Sequence, residues 1–373
     1  MRIRQVLVDG RTPVNYEMVA PVVETMRADP RVRFAFTASE DPDRLADIYR
    51  NAPAGTRLIG SARAAFHKWD AYLTSDFMWA TLPRGTVRIQ MFHGVAGKYG
   101  FDSPQESMRA WHRLFFVNER RLRNVVNAGA IDADSDAPRL VGMPKVDCLV
   151  DGTLQRERIL ADFDLDPARP TVLYAPTWSP ASSLNRMGVS LLERLVSLPI
   201  NVIVKLHDRS RDLREQYSGG IDWVARLTPL LSRPNTRLAL HANITPCLVA
   251  ADVMITDHSS AGFEYLLLDR PLIRIELSDL IRQANVHQDY VQLLADASTD
   301  VQSPEGAVHA VEEALADPAD LSAIRRRIAA DLFYRPGTAS ARCASALYDV
   351  LELAAPATLT SATREVNPWP QSA

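Results

Sequence analysis

Two histidines, a lysine and a pair of serines stand where side chains could do chemistry. His93 follows Val87–Phe92, in which Ile89 and Met91 alternate with Gln90 and Phe92, and it precedes Gly94. Gly97 and Gly100 give the next loop the freedom to bring its backbone close to a ligand. An imidazole at a strand's carboxyl end, before such a loop, is placed to act as a general base. A histidine that only fills a turn shares this pattern. Lys205 and His207 alternate with apolar neighbours around Val202–Leu206. In a buried strand that spacing points both polar groups to one side. A strand end with solvated charges would look the same. Ser259 and Ser260 end the apolar run Val253–Ile255 and its polar break, and Phe263, Leu266 and Leu267 then recur at helical spacing. A strand that stops at two hydroxyls and restarts as a helix suits phosphate, because free N–H groups and the positive end of the dipole face one point. A plain capped helix is the competing reading. In the same segment Asp257 could orient the loop or a histidine. Glu264 lies one turn in, where it could accept from ribose hydroxyls or steady the dipole. Pro176 stops the run Thr171–Tyr174 and presents the hydroxyl of Thr177.

Strand-like and helical runs alternate along the whole chain and would position these groups. The first half offers Gln5–Val8, Phe34–Thr37, Arg57–Ile59, Ala71–Leu73, Val87–Phe92, Leu114–Val117 and Leu140–Gly142 as strands, with a helical stripe over Val14–Met26. The second half offers Thr171–Tyr174, Val202–Leu206, Leu238–Leu240, Val253–Thr256 and Leu272–Ile275. Leu191–Leu198, Pro246–Ala251 and Gly262–Leu268 read as helices. Short apolar strands between helices imply an α/β fold with parallel sheets covered on both faces. The turn-rich stretch Val150–Pro170 marks the junction of two domains, 1–150 and 151–354. Closing helices are expected at Glu305–Ala316, Leu321–Phe333 and Ser340–Ala354. The Pro-, Thr- and Ser-rich tail 355–373 is expected to be disordered.

With 373 residues, 47% of them apolar, the chain is long enough for two ordinary domains. A net charge of −3 gives no support for a nucleic-acid binder. Cys148, Cys247 and Cys343 form no metal framework, and their odd number argues against a secreted disulfide scaffold. The start MRIRQVLVDG reads as a strand and not as a signal peptide, and no apolar run approaches a membrane span. A cytoplasmic location is expected.

Asp132, Asp134 and Asp136 invite a metal. As a calcium loop they fail, because Ala137 stands where glycine is needed and Met143 where glutamate is needed. A solvated acidic loop is favoured. Arg109, His112, Arg113, Arg120, Arg121 and Arg123 surround Leu114–Val117, and a solvated basic face is favoured over a surface for phosphate polymer or anionic lipid. Ser259 and Ser260 do not sit in the nucleophile elbow of a serine hydrolase.

Five segments occur in a telling order: QMFHGVAGKYGFD (90–102), VGMPKVD (141–147), YAPTW (174–178), VKLHD (204–208) and TDHSS (256–260). Together, over about Val87 to Gly337, they resemble the CDP-glycerol glycerophosphotransferase family of teichoic-acid polymerases and primases. That family has a His-Gly-Thr-Pro-Leu-Lys loop, Gly-x-Pro-Arg-x-Asp, Ala-Pro-Thr-Trp, Arg-x-His and Thr-Asp-Tyr-Ser-Ser. The resemblance implies the GT-B fold, two Rossmann-like domains facing across a cleft. It implies a transferase moving a polyol phosphate, with CDP-glycerol as the leading donor, to an acceptor hydroxyl with release of CMP. His93 matches the proposed catalytic base and His207 the second catalytic histidine. Gly94, Lys98, Thr177, Lys205, Asp257, Ser259, Ser260 and Glu264 fall to donor or substrate binding. Val95 and Gly97 depart from the family's threonine and leucine, Lys205 replaces its arginine, His258 its tyrosine, and Ser179 its basic residue after the tryptophan. The expected partners are a nucleotide-activated donor and a polyol, glycan or lipid-linked acceptor, with no nucleic acid, no cofactor and no metal. Peripheral contact with the inner face of the cell membrane is compatible with this. A GT-B glycosyltransferase or epimerase using a nucleotide sugar, and a non-catalytic nucleotide-binding protein, are the alternatives.

Overall fold

The structure is a computed structural model that describes residues 2–95 and 106–362. It divides into two compact units. The first takes the chain through Val95, the stretch ending at Asp147, and the C-terminal segment from Asp331; the second takes Cys148–Ala330.

The first unit holds six strands: β1 (Arg4–Asp9), β2 (Val32–Thr37), β3 (Ala71–Thr74), β4 (Val87–Met91), β5 (Arg113–Phe116) and β6 (Pro138–Leu140). They form one parallel sheet in the order β2-β1-β3-β4-β5-β6. The sheet grows one way from β1 to β2, then the other way from β3, so its topological switch lies between β1 and β3. The expected strand at Arg57–Ile59 is not one. Leu58 makes a single bridge to Phe36, because a turn precedes it and the helix Ser61–Ala64 begins three residues later.

The second unit repeats the plan with β7 (Thr171–Tyr174), β8 (Asn201–Lys205), β9 (Thr236–Ala239), β10 (Val253–Thr256), β11 (Leu272–Ile275) and β12 (Thr299–Val301). Their order is β12-β11-β10-β7-β8-β9. Counted within the unit this is 3-2-1-4-5-6, the Rossmann order, with its switch point between β7 and β10. Every residue of β7, β8, β10 and β11 is buried. Apolar runs with both faces covered are what a parallel sheet requires. β12 escaped the sequence reading because two of its three residues, Thr299 and Asp300, are exposed and polar.

The closing helices require a correction. They were all expected in the second domain, but the chain returns to the first unit at Asp331, within the helix Ser322–Leu332. The helix Ala339–Val350 packs on Pro13–Met26. Asp147 anchors its start. That buried carboxylate accepts from the N–H groups of Gly337 (2.8 Å), Ala339 (3.0 Å) and Ser340 (2.7 Å), and from the Ser340 hydroxyl (2.7 Å). The tail also begins with order: Ala357–Ala362 is helical, and the rest of the expected disordered stretch lies outside the described residues.

Candidate functional site

In the first unit β4 ends at Met91, and His93 sits just past it, half-buried, at the carboxyl edge of the sheet. Its Nδ1 bonds the carbonyl of Ser75, which follows β3. A carbonyl oxygen only accepts, so Nδ1 carries the proton and Nε2 keeps its lone pair. Burial pulls the imidazole below its ordinary 6.5, against the opposing charge of Asp76. The ring is therefore neutral at pH 7 and can accept a proton. Its support is itself held. Asn15 Nδ2 donates to Ser75 Oγ (3.1 Å), and Arg11 pairs with Asp76 (3.1 Å). On the other side Arg121 donates to the Gly94 carbonyl (2.6 Å) with its guanidinium 4.3 Å from the centre of the Phe92 ring. Arg121 is thus a buried support for the turn and no part of a basic face. Lys98 lies outside the described residues.

In the second unit the expected residues gather at the switch point. Asp257, fully buried, follows β10. Its Oδ1 accepts from the N–H of Thr177 (2.8 Å), and its Oδ2 accepts from the N–H (3.0 Å) and hydroxyl (2.9 Å) of Ser183. These bonds tie the loop after β7, and the first turn of the helix Ser183–Leu195, to the end of β10. Asp257 thus fits the loop-orienting role, and binding a ligand through these oxygens would compete with three existing bonds.

Ser259 is the N-cap of the helix Ser260–Tyr265, accepting from the Gly262 N–H (3.3 Å). Its Oγ also lies 2.8 Å from Thr256 Oγ1, whose own proton goes to the Ala175 carbonyl (2.6 Å). The single proton of Ser259 therefore goes to Thr256 in this structure. Ser260, half-buried and first in the helix, has no such commitment among the described residues. Glu264 is buried at 2% exposure, which sets it off from an open ribose contact.

The end of β8 carries the cations. Lys205 is buried, with Nζ donating to the Leu206 carbonyl (2.8 Å), so the solvated reading of this strand end fails. His207 accepts at Nδ1 from the Arg209 N–H (3.1 Å). Its remaining proton therefore sits on Nε2, the opposite tautomer to His93. The rings of His207 and Trp178 lie 6.3 Å apart. The Arg209 guanidinium rests 4.5 Å from the centre of the Trp178 ring. Sequence reasoning missed Arg209. Its signal, an arginine two residues past His207, is faint without the tryptophan the fold brings beside it.

The acidic and basic segments explain each other. Arg109 pairs with Asp132 (2.9 Å), Arg113 with Asp136 (3.6 Å) and Arg120 with Asp331 (2.5 Å). Among the described residues no group of three His, Cys, Asp or Glu side chains could hold a metal ion.

A family model described as CDP-glycerol:poly(glycerophosphate) glycerophosphotransferase matches residues 17–347. A teichoic acid poly(ribitol-phosphate) polymerase of Bacillus spizizenii is 23% identical over 230 residues, covering 55% of this chain. That match spans only 35% of the polymerase's own length. Among solved structures, the wall teichoic acid polymerase TagF shares 15% identity with a TM-score of 0.71, covering 94% of this chain and 89% of that one. A TagF variant soaked with CDPG gives a TM-score of 0.68 at 14% identity, over 94% of this chain and 88% of that one. A putative UDP-N-acetylglucosamine 2-epimerase from Listeria monocytogenes gives 0.61 at 15% identity, over 94% of this chain and 97% of that one. At these identities the structures show a shared fold. The expected α/β class, with its paired parallel sheets, is the one observed.

Proposed function

Because this chain belongs to the CDP-glycerol:poly(glycerophosphate) glycerophosphotransferase family, we propose that it transfers glycerol phosphate from CDP-glycerol to an acceptor hydroxyl and releases CMP. The product would be a teichoic-acid-like or other cell-surface polymer. The observation that carries the reading is the opposed fixing of two histidines. Nδ1 of His93 bonds the Ser75 carbonyl, while Nδ1 of His207 accepts from the Arg209 N–H, so the two rings are set in opposite tautomers.

On this reading His93 takes the acceptor's proton, and the freed oxygen attacks the β-phosphorus in line. The new O–P bond forms as the bond from that phosphorus to the bridging oxygen breaks. The electron pair leaves on the phosphate of CMP. Lys205, the Nε2–H of His207, Thr177 and Ser260 stabilise charge on the phosphates. Asp257 holds the Thr177 loop in place, and Ser259 caps the helix behind it. The acceptor is a polyol, glycan or lipid-linked hydroxyl. No helix of the described residues is long and apolar enough to cross a membrane, so an acceptor in the bilayer would be met at the surface or through a further segment.

A donor scan by thermal shift tests the proposal. A ligand that binds only the folded state stabilises it by about 2.7 kcal/mol at a hundredfold excess over its Kd. CDP-glycerol should raise the melting temperature more than CMP, and both more than UDP-GlcNAc. CMP release with CDP-glycerol and a polyol-phosphate acceptor should follow. A larger shift with UDP-GlcNAc, or no CMP release with any acceptor hydroxyl offered, would defeat the reading.

A further inference from the structure

We propose that Arg209, held against Trp178 and Tyr217, is a phosphate-binding cation that takes two non-bridging oxygens of a nucleoside diphosphate. The inference rests on reading the second unit as the donor-binding one and names a further diphosphate-binding residue within it.

Three arginines follow His207 in close succession, and their surroundings differ. Arg211 pairs with Asp208 (2.5 Å) and also donates to the Leu240 carbonyl (3.0 Å). Arg214 grips Asp212 through Nε (3.0 Å to each oxygen) and Nη2 (2.6 Å). The two carboxylates in this stretch are thereby taken. Arg209 makes no side-chain hydrogen bond or ion pair with any described residue. Its contacts are with rings, the guanidinium carbon lying 4.5 Å from the Trp178 centroid and 5.3 Å from that of Tyr217. Those two rings brace each other edge to face at 5.6 Å.

Stacking occupies the faces of a guanidinium and leaves the N–H groups on its edge free to donate. A structural arginine in a half-buried setting would be expected to spend those donors on a carboxylate or on carbonyls, as Arg211 and Arg214 do. Here the rings orient the cation, and no carboxylate among the described residues pairs with it. Location fixes the ligand class. Arg209 and Trp178 lie on the loops that follow β8 and β7, at the carboxyl end of a Rossmann-ordered sheet beside its switch point, where such folds receive nucleotides. Its backbone N–H also sets the tautomer of His207. One residue thus orients the histidine and presents a fork for phosphate. Lys205, with its ammonium on the Leu206 carbonyl, offers a point charge without that fork.

The test is calorimetric binding of CDP, CMP, cytidine and UDP to the whole chain and to its Arg209→Ala, Arg209→Lys and Arg209→Met variants, with melting temperatures recorded alongside. Arg209→Ala should weaken CDP by roughly 10- to 100-fold, the loss expected for charged hydrogen bonds. Cytidine affinity should not change. Arg209→Lys should recover only part of the loss, and Arg209→Met, which keeps an unbranched apolar side chain, should recover none. CDP affinity in Arg209→Ala within about twofold of the native value overturns the proposal. So does an equal loss for CDP and cytidine, which would make Arg209 a support for the base side or for the fold. If the native chain prefers UDP and Arg209→Ala weakens UDP, the phosphate assignment stands while the cytidine donor falls. A native chain that binds neither diphosphate overturns both.

Discussion

Asp257, at the end of β10, takes both the N–H and the hydroxyl of Ser183 on one carboxylate oxygen, at 3.0 and 2.9 Å. The other oxygen holds the Thr177 N–H at 2.8 Å. One buried charge therefore fixes where the helix Ser183–Leu195 begins and where the loop after β7 stands. Its negative charge also faces the positive end of that helix. Asp257→Ala should lower stability to urea by more than about 3 kcal/mol, since each hydrogen bond to a charged group contributes about 1.5–3 kcal/mol. Asp257→Asn, which keeps one acceptor oxygen, should lose less. Native stability in the alanine variant would show that the switch point is held by other means.

The two adjacent serines should separate. Ser259 is committed to its cap and to Thr256, and Ser260 has no such commitment among the described residues. Ser259→Ala should cost about 0.5–2 kcal/mol of folding stability, as lost caps do, and leave CDP affinity nearly unchanged. Ser260→Ala should do the reverse, lowering CDP affinity roughly tenfold through one lost hydrogen bond to phosphate. Equal effects of both variants on CDP binding would return Ser259 to the ligand.

Much of the scaffold was legible because parallel sheets write themselves as apolar runs. Val172, Leu173, Val202, Ile203, Val204, Met254 and Ile255 are each fully buried, and the runs containing them were read as strands. β12 was not legible, since an edge strand with exposed Thr299 and Asp300 looks like a loop. The return of the chain to the first unit was hidden for a different reason. Asp147 meets Ser340 across nearly two hundred residues, and nothing in the local pattern of either announces the other. At the site, residue types and strand ends placed His93, His207 and Ser260, but hydrogen-bond allegiance is a property of the fold. Ser259 and Asp257 have the composition of ligand contacts, and the fold also gives them hydrogen-bond partners within the chain that no local pattern announces.

The acidic run should be inert toward metals. Asp132 and Asp136 face Arg109 and Arg113 on an exposed surface. Calcium or magnesium should not raise the melting temperature of the ligand-free protein. Asp132→Asn should change stability by less than about 1 kcal/mol, the usual size of an exposed pair. A rise in melting temperature with calcium that Asp132→Asn abolishes would make this loop a cation site.

The pH dependence gives the sharpest check on His93. Its pKa is lowered from 6.5 by burial, so the neutral form persists to lower pH than in an ordinary histidine. Only that form has a lone pair at Nε2. As pH falls through the folded-state value the lone pair is lost, so the acid limb of kcat/KM should lie below 6.5. His93→Ala should reduce turnover by about 10²–10⁴-fold and remove that limb. The same shift acts on stability. The unfolded chain binds a proton at this residue more readily than the folded one, so stability contributed here is present above the unfolded pKa and declines as pH drops below it. Denaturation profiles of the native protein and His93→Ala should therefore run parallel at pH 7–8 and diverge toward acid, the native protein losing more. An unchanged acid limb in His93→Ala, or a native limb above 6.5, would take the proton-accepting role away from His93.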